Sequence, residues 1–184
     1  SIYNNIMGRG DALFRAYIMK KICIFNQKGG VGKTTTTINL SAYLAMEGYK
    51  VLTIDIDPQG NTTSGLGLDK YNLDMSIYDV LTSEATVKES VIKSELVQNL
   101  SILPSTIELA GAEVEITAIH NRETILKNKL EDVKDKYDFV FIDCPPSLGV
   151  LTINALTCAD SVLIPMQCEF YALEGVSQLV NTIQ

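Results

Sequence analysis

The sequence KGGVGKTT at residues 28–35 decides the fold of this chain. It follows an apolar run at residues 21–25 that predicts a buried strand, and it opens residues 36–46, which predict a helix. The apolar residues at helical spacing in that helix are Ile38, Ala42 and Ala45. Glycines let the backbone turn with its N–H groups pointing inward, and the helix N-terminus adds positive potential. The order of strand, glycine loop and helix therefore predicts a phosphate-binding P-loop.

Two lysines lie inside this loop. Lys33 is expected to reach the β- and γ-phosphates of a nucleotide, and the hydroxyl of Thr34 is expected to bind Mg²⁺. The usual motif has a glycine five residues before Gly32, but Gln27 takes that position and Lys28 is an additional lysine. A second lysine in so tight a turn either faces solvent or points at phosphate.

A pair of aspartates ends the second predicted strand, residues 51–57. Asp55 and Asp57 are two residues apart, so on a regular strand they share a face. They lie at the carboxyl end of the strand, where open α/β sheets bind ligands. Such carboxylates suit holding Mg²⁺-bound water or orienting an attacking water. The alternative is that they only form the turn DPQGN at residues 57–61.

A third motif, YDFVFID, occupies residues 137–143. Its apolar residues end in Asp143, which predicts a Walker B strand whose carboxylate accepts hydrogen bonds from Mg²⁺-bound water or from the P-loop threonine. Pro145 and Pro146 follow, and they end the strand because proline cannot donate to a sheet ladder.

The remaining elements alternate between strands and helices. Further strands are predicted at residues 99–105 and 160–166, and helices at residues 76–81, 106–120, 123–136, 148–159 and 169–184. Residues 87–96 fit either a helix or an edge strand. Because the motifs fall at strand carboxyl ends, the pattern predicts a three-layer α/β/α fold with a mainly parallel sheet.

Composition restricts the function classes. The chain has 184 residues, 46% of them hydrophobic, and a net charge of −7. This charge gives no electrostatic reason to expect nucleic-acid binding by the chain as a whole. The four cysteines, Cys23, Cys144, Cys158 and Cys168, lack the CxxC spacing of zinc or redox sites and are expected in the core. Without a signal segment or an apolar run of roughly 18 residues, we expect a cytoplasmic protein with no stable membrane insertion.

The loop with its additional lysine resembles the deviant Walker A motif of the ParA/MinD group of ATPases. The turn DPQGN followed by TTSGLG at residues 62–67 resembles the ParA/Soj branch of that group more closely. The resemblance implies a P-loop NTPase fold, ATP and Mg²⁺ as cofactors, and hydrolysis of ATP to ADP and phosphate.

The same resemblance implies roles for individual residues. Lys28 is expected to cross a dimer interface to the partner's nucleotide, Asp57 to position the attacking water, and Asp143 to support Mg²⁺. The predicted nucleotide-binding residues are Lys28, Gly29, Gly30, Val31, Gly32, Lys33, Thr34 and Thr35. The predicted catalytic residues are Lys28, Lys33, Asp57 and Asp143, and the predicted metal-site residues are Thr34, Asp57 and Asp143.

The resemblance also implies a biological role. Proteins of this branch form ATP-dependent sandwich homodimers, bind DNA without sequence preference on the nucleoid, and hydrolyse ATP when a ParB-like centromere-binding protein stimulates them. The expected function is therefore segregation of chromosomes or plasmids. The alternatives are a MinD-like membrane-surface switch and a metabolic or redox enzyme related to the nitrogenase iron protein.

The resemblance covers residues 19–184, which are expected to form the N-terminal part of a P-loop ATPase domain. The family continues with further strands and helices that contact adenine and DNA, so we expect the C-terminal part to be missing. Residues 1–18 fit no pattern and are expected to be an extension or a cloning-derived segment.

Overall fold

The computed structural model describes residues 19–83 and 85–167. Its strands are β1 (Lys20–Ile24), β2 (Val51–Asp55), β3 (Ile92–Lys93), β4 (Leu100–Leu103), β5 (Phe139–Asp143) and β6 (Ser161–Leu163). Its helices are α1 (Lys33–Met46), α2 (Asn61–Gly65), α3 (Ile77–Thr82), α4 (Val87–Ser90), α5 (Leu109–Thr117), α6 (Ile125–Lys129) and α7 (Val150–Cys158), with 3₁₀ turns at Arg122–Thr124 and Leu130–Val133. The segments predicted at residues 1–18 and 169–184 lie outside the described residues.

The described strands form one sheet in the order β3-β4-β2-β5-β1-β6. All neighbours are parallel except β3, which pairs antiparallel with β4. Asp143 at the end of β5 lies level with Ile24 of β1 on one side and with Asp55 of β2 on the other. The carboxyl ends of these three strands therefore meet at one edge, from which the P-loop and both acidic motifs emerge.

Helices cover both faces of the sheet. Along β2 every residue is buried, as expected for a parallel strand with both faces covered. Val51 packs in a cluster with Ala45 of α1, whereas Leu52 and Ile54 point to the other face. The cluster on that other face contains residues of α3, α5, α6 and α7. The three-layer α/β/α fold with a mainly parallel sheet is confirmed.

Strand β2 is shorter than predicted. It ends at Asp55 rather than at residue 57, because Asp57 opens a turn in which the Gly60 N–H donates to the Asp57 carbonyl oxygen at 2.9 Å. Gly60 has a φ of +61°, a left-handed conformation that favours glycine. The prediction that Asp55 and Asp57 extend one regular strand was wrong.

The prediction of a single helix at residues 123–136 was also wrong. The segment contains two 3₁₀ turns with α6 between them. The cause is a tertiary contact with α7: Asn154 accepts a hydrogen bond from the Leu126 N–H at 3.1 Å and donates one to the Arg122 carbonyl oxygen at 2.7 Å. Asn154 thereby bonds backbone groups on either side of the junction between the first 3₁₀ turn and α6.

Two further predictions need adjustment. Residues 87–96, which fitted a helix or an edge strand, contain both, because α4 is followed directly by the short edge strand β3. The buried face of α1 consists of Lys33, Thr37, Ser41 and Ala45. Of the predicted apolar face, Ala45 is buried but Ile38 and Ala42 are only half-buried.

Within the described part of the chain, no helix is long and apolar enough to cross a bilayer.

Candidate functional site

The loop between β1 and α1 has the shape that its glycines allow. Gly30 and Gly32 have φ values of +73° and +92°, which other residues rarely adopt. A Cβ atom on either glycine would meet nothing within 4 Å, so backbone conformation rather than crowding requires glycine here. Helix α1 begins at Lys33 without a side-chain cap from the described residues, which leaves its first N–H groups able to bind an anion.

A cavity of about 400 Å³ lies beside this loop. Its lining residues are Gly29, Gly30, Gly32, Lys33, Thr34, Thr35, Asp57, Gln59, Asn61 and Pro146. The cavity therefore joins three segments that are far apart in sequence: the P-loop, the turn after β2 and the loop after β5. Most of the predicted site residues come together here.

Lys33 is the buried cation of the cavity. Only 8% of this residue is exposed. Within the described structure its ammonium group donates one hydrogen bond, to the Lys28 carbonyl oxygen at 3.3 Å. A nearly buried ammonium group with a neutral acceptor is poorly compensated unless an anion binds beside it. The cavity next to Lys33 therefore suits an anionic ligand.

Lys28 and Val31 do not line the cavity. The Val31 side chain is buried, so this residue contributes through the loop backbone. Lys28 is exposed, and its N–H donates to the Asn26 side-chain oxygen at 3.0 Å. The structure therefore places the additional lysine outside the cavity of its own chain.

Asp143 lies behind the P-loop and is 1% exposed. Its Oδ2 atom accepts hydrogen bonds from the hydroxyls of Thr34 at 2.9 Å and Thr62 at 2.6 Å, and its Oδ1 atom accepts one from Thr37 at 3.3 Å. Burial raises the pKa of this carboxyl, and the bonds from Thr62 and Thr34 lower it. The carboxylate thus contacts the threonine hydroxyl that the sequence predicts as a Mg²⁺ ligand.

The arrangement suits a metal that is held mainly by its substrate. Within residues 19–83 and 85–167, no three His, Cys, Asp or Glu side chains are grouped to bind a metal ion. Mg²⁺ usually keeps several waters and binds through one or two protein oxygens plus substrate phosphates. The Thr34 hydroxyl, which donates to Asp143, therefore stays the predicted protein ligand of such a metal.

The two aspartates after β2 face different surroundings. Asp55 is fully buried and accepts hydrogen bonds from the N–H and the hydroxyl of Thr63, at 2.8 and 2.7 Å. Its other oxygen accepts one from the Asp57 N–H at 3.2 Å. Asp57 lines the cavity, and its carboxylate accepts a hydrogen bond from the Gln59 N–H at 2.9 Å. Asp55 therefore stabilises the turn, whereas Asp57 faces the ligand cavity.

Burial gives Asp55 an unusual titration. It raises the pKa of this carboxyl to about 7, although the hydrogen bonds from Thr63 lower it. In the unfolded chain the carboxyl ionises near its ordinary value of 3.8, so between these values the folded protein binds more protons. The stability that Asp55 contributes is therefore fully present below the unfolded pKa and is lost as the pH rises through about 7.

We expect this titration to appear in a comparison with Asp55→Asn. From about pH 5 to about pH 8, the free energy of unfolding of the unmodified protein should fall relative to that of the variant. Urea unfolding without nucleotide measures both curves. Parallel curves across this range would show that Asp55 does not retain its proton in the folded protein.

Sequence reasoning missed the hydroxyl groups that bond these aspartates. Those of Thr37, Thr62 and Thr63 donate to carboxylates, and that of Ser105 donates to the Asp57 backbone carbonyl oxygen. For Thr37 a signal existed, because it lies one helical turn after Lys33 and so faces the same side. Thr62 and Ser105 had no local signal, since their partners are 81 and 48 residues away in sequence.

Comparison with known protein families agrees with this geometry. Residues 19–184 match the family described as an AAA domain. The chain is 59% identical over 165 residues to the sporulation initiation inhibitor protein Soj of Bacillus subtilis, covering 90% of this chain and 65% of that protein. It is 52% identical over 176 residues to the chromosome partitioning protein ParA of Myxococcus xanthus, covering 96% of this chain and 62% of that protein. The chain thus spans less than two thirds of these relatives.

Solved structures are similar over the same region. Cobyrinic acid a,c-diamide synthase from Mycobacterium smegmatis, with a bound ATP analogue and magnesium, superimposes with a TM-score of 0.85 at 42% identity. The match covers 90% of this chain and 67% of that one. A plasmid partition protein from Borrelia burgdorferi superimposes with a TM-score of 0.79 at 32% identity, covering 90% of this chain and 72% of that one.

Proposed function

Because this chain belongs to the Soj/ParA family of P-loop ATP-binding proteins, we propose that it acts in DNA segregation as an ATPase. The observation that carries the proposal is the cavity in which the nearly buried Lys33 ammonium group and the Asp57 carboxylate face one space. A cation that stabilises the phosphates and a side chain that orients the attacking water are recurring parts of sites that transfer a phosphoryl group to water.

Each residue then has a defined task. The loop amides and Lys33 bind the phosphates, the Thr34 hydroxyl binds Mg²⁺, and Asp143 orients that hydroxyl. When bound at the Thr34 hydroxyl, Mg²⁺ would supply positive charge that neutralises the phosphates. Asp57 orients the attacking water, and its carboxylate accepts a hydrogen bond from the Gln59 N–H that holds it for this task.

We also propose that the ATP-bound form is a homodimer. Lys28 is exposed beside the cavity without lining it, which suits a contact with a nucleotide in a second copy. Apolar side chains are exposed near the loop that follows β5, and Val114 is 79% exposed. The patch consists of Val114, Leu148 and Ile153. Glu113 lies against Gly149, which brings α5 next to the start of α7.

The proposed partners of the whole protein are non-specific DNA and a ParB-like centromere-binding protein that stimulates hydrolysis. The proposed location is the cytoplasm, in association with the nucleoid. Support comes from the partitioning relatives, which extend beyond this chain. With a net charge of −7 the chain as a whole does not attract DNA, so we propose that the basic contacts lie in the part that these relatives have in addition.

The alternatives have less support. A cluster-binding enzyme like the nitrogenase iron protein needs accessible cysteines, but the three cysteines within the described residues, Cys23, Cys144 and Cys158, are all buried. Cys168 lies outside the described residues. The Sγ atoms of Cys23 and Cys144 lie 3.3 Å apart in the core, and burial raises the pKa of Cys144 well above its ordinary value. Both features are typical of structural thiols. The turn DPQGN argues against a MinD-like membrane switch.

The natural full-length protein allows a direct test. We expect slow ATP hydrolysis, and retention on duplex DNA of arbitrary sequence with ATP but not with ADP. Filter binding and phosphate release measure the two activities on one sample. Hydrolysis that is indifferent to DNA, without retention, would overturn the segregation role and favour the membrane or metabolic alternatives. A complete lack of nucleotide binding would overturn the ATPase assignment.

A further inference from the structure

A serine just after the neighbouring strand β4 bonds the turn that carries Asp57. Ser105 lies two residues after β4 and is fully buried. Its hydroxyl donates a hydrogen bond to the Asp57 carbonyl oxygen at 2.8 Å. Its N–H donates to the Thr63 hydroxyl oxygen at 2.9 Å, and that hydroxyl donates on to Asp55 at 2.7 Å. Ser105 therefore bonds both the first residue of the turn and Thr63 in the helix that follows it.

The turn also packs against the Ser105 backbone. A Cβ atom at Gly60 would lie 3.2 Å from the Ser105 carbonyl oxygen and 3.0 Å from Cδ of Lys70, so both residues approach this glycine closely. The Lys70 ammonium group also donates to the Gln59 carbonyl oxygen at 2.5 Å, in a solvent-exposed hydrogen bond. Exposed lysine contacts contribute little because water competes for both partners. Ser105 is consequently the buried anchor of this turn.

We propose that Ser105 is a positioning residue for Asp57, whose hydroxyl sets the direction in which the Asp57 carboxylate enters the cavity. The inference rests on the proposed ATPase function and on the role of Asp57 in orienting water. Without this hydroxyl, the Asp57 carbonyl oxygen keeps only the bond from the Gly60 N–H within its own turn. The carboxylate then gains freedom, whereas the P-loop and its phosphate contacts are unchanged.

A lower hydrolysis rate at unchanged ATP affinity would distinguish a positioning role of Ser105 from a general structural role. Misplacing a reacting group by about 1 Å can lower a rate roughly 100-fold. For Ser105→Ala we therefore expect single-turnover hydrolysis of ATP to be slower by roughly 10- to 100-fold. The equilibrium affinity for ATP should stay within about twofold, because Lys33 and the loop amides do not contact Ser105.

The experiment uses the natural full-length protein with two reference variants. Ser90→Ala is the matched control, because Ser90 is 2% exposed and its hydroxyl donates to the Thr86 carbonyl oxygen at 3.0 Å, away from the cavity. It should hydrolyse ATP at the unmodified rate. Asp57→Ala defines the rate without the carboxylate. If Ser105→Ala does not fold by circular dichroism, Ser105→Cys, which keeps a weak donor, should show a smaller loss of rate.

A double variant gives the decisive result. If Ser105 acts through the Asp57 carboxylate, Ser105→Ala should slow the Asp57→Ala protein no further. A Ser105→Ala or Ser105→Cys protein as fast as the unmodified one, beside a slow Asp57→Ala protein, would overturn the inference. The inference would also be overturned if the two substitutions slowed hydrolysis independently, so that the double variant were slower than Asp57→Ala alone. If instead Asp57→Ala hydrolyses ATP normally, or the unmodified protein does not hydrolyse it, the proposed function itself fails.

Discussion

Replacing Lys33 with alanine is expected to weaken ATP binding roughly 10- to 100-fold. A hydrogen bond to a charged group contributes about 1.5–3 kcal/mol, and about 1.4 kcal/mol corresponds to a factor of ten in affinity. Lys33 is the cation within the cavity lining, so its removal leaves the phosphates with neutral donors of that lining only. Calorimetric titration of the natural full-length protein with a non-hydrolysable ATP analogue and Mg²⁺ measures the loss.

The stability of the Lys33→Ala protein toward urea distinguishes a lost phosphate contact from misfolding. In the nucleotide-free protein the Lys33 ammonium group is nearly buried and donates to one backbone carbonyl, so removing it relieves an uncompensated charge. The Lys33→Ala protein should therefore unfold at the same or a higher urea concentration. Lys50→Ala is the matched control, since Lys50 is exposed at the opposite edge of the sheet and should not affect affinity. Unchanged ATP affinity in Lys33→Ala would refute the assigned role.

In contrast to Lys33→Ala, we expect Lys28→Ala to leave ATP affinity unchanged and to abolish dimerisation and turnover. Because Lys28 is exposed and does not line the cavity of its own chain, a monomer should bind ATP with unchanged affinity. ATP-dependent dimers and turnover should both be lost, since each nucleotide lacks the cation that the other protomer supplies. Sedimentation with the non-hydrolysable analogue measures dimers, and phosphate release measures turnover.

Mixing two inactive proteins tests the contact in trans. A Lys28→Ala protomer keeps its own Asp57, and an Asp57→Ala protomer can supply Lys28 to it. Their mixture should therefore recover part of the turnover that each protein lacks alone. Dimers that persist in Lys28→Ala, or a mixture that stays inactive while mixed dimers form, would contradict the assignment.

The local motifs were enough to predict the fold class. The strand, glycine loop and helix around residues 28–35 occur in the structure as expected, and the strand ending in Asp143 lies beside β1. Periodicity within one segment carries this information, because each helix or strand must bury one face. The prediction from periodicity failed at residues 123–136, where the Asn154 side chain of α7 bonds the Leu126 N–H and the Arg122 carbonyl oxygen.

The division between local and tertiary information is clearest at the aspartates. Spacing alone put Asp55 and Asp57 on one face of a strand, but the end of β2 separates them. Which one meets the cavity depends on Thr63 and Ser105, whose positions follow from the strand order.

The sequence by itself therefore determined the loop and helix start that we propose to bind phosphate, because residues 28–35 are consecutive. Only the tertiary structure decided which of the two aspartates lines the cavity beside them and which serine bonds its backbone. The physical reason is that a hydrogen bond constrains the distance between two atoms in space, and the 48 residues between Asp57 and Ser105 leave no periodic trace of it.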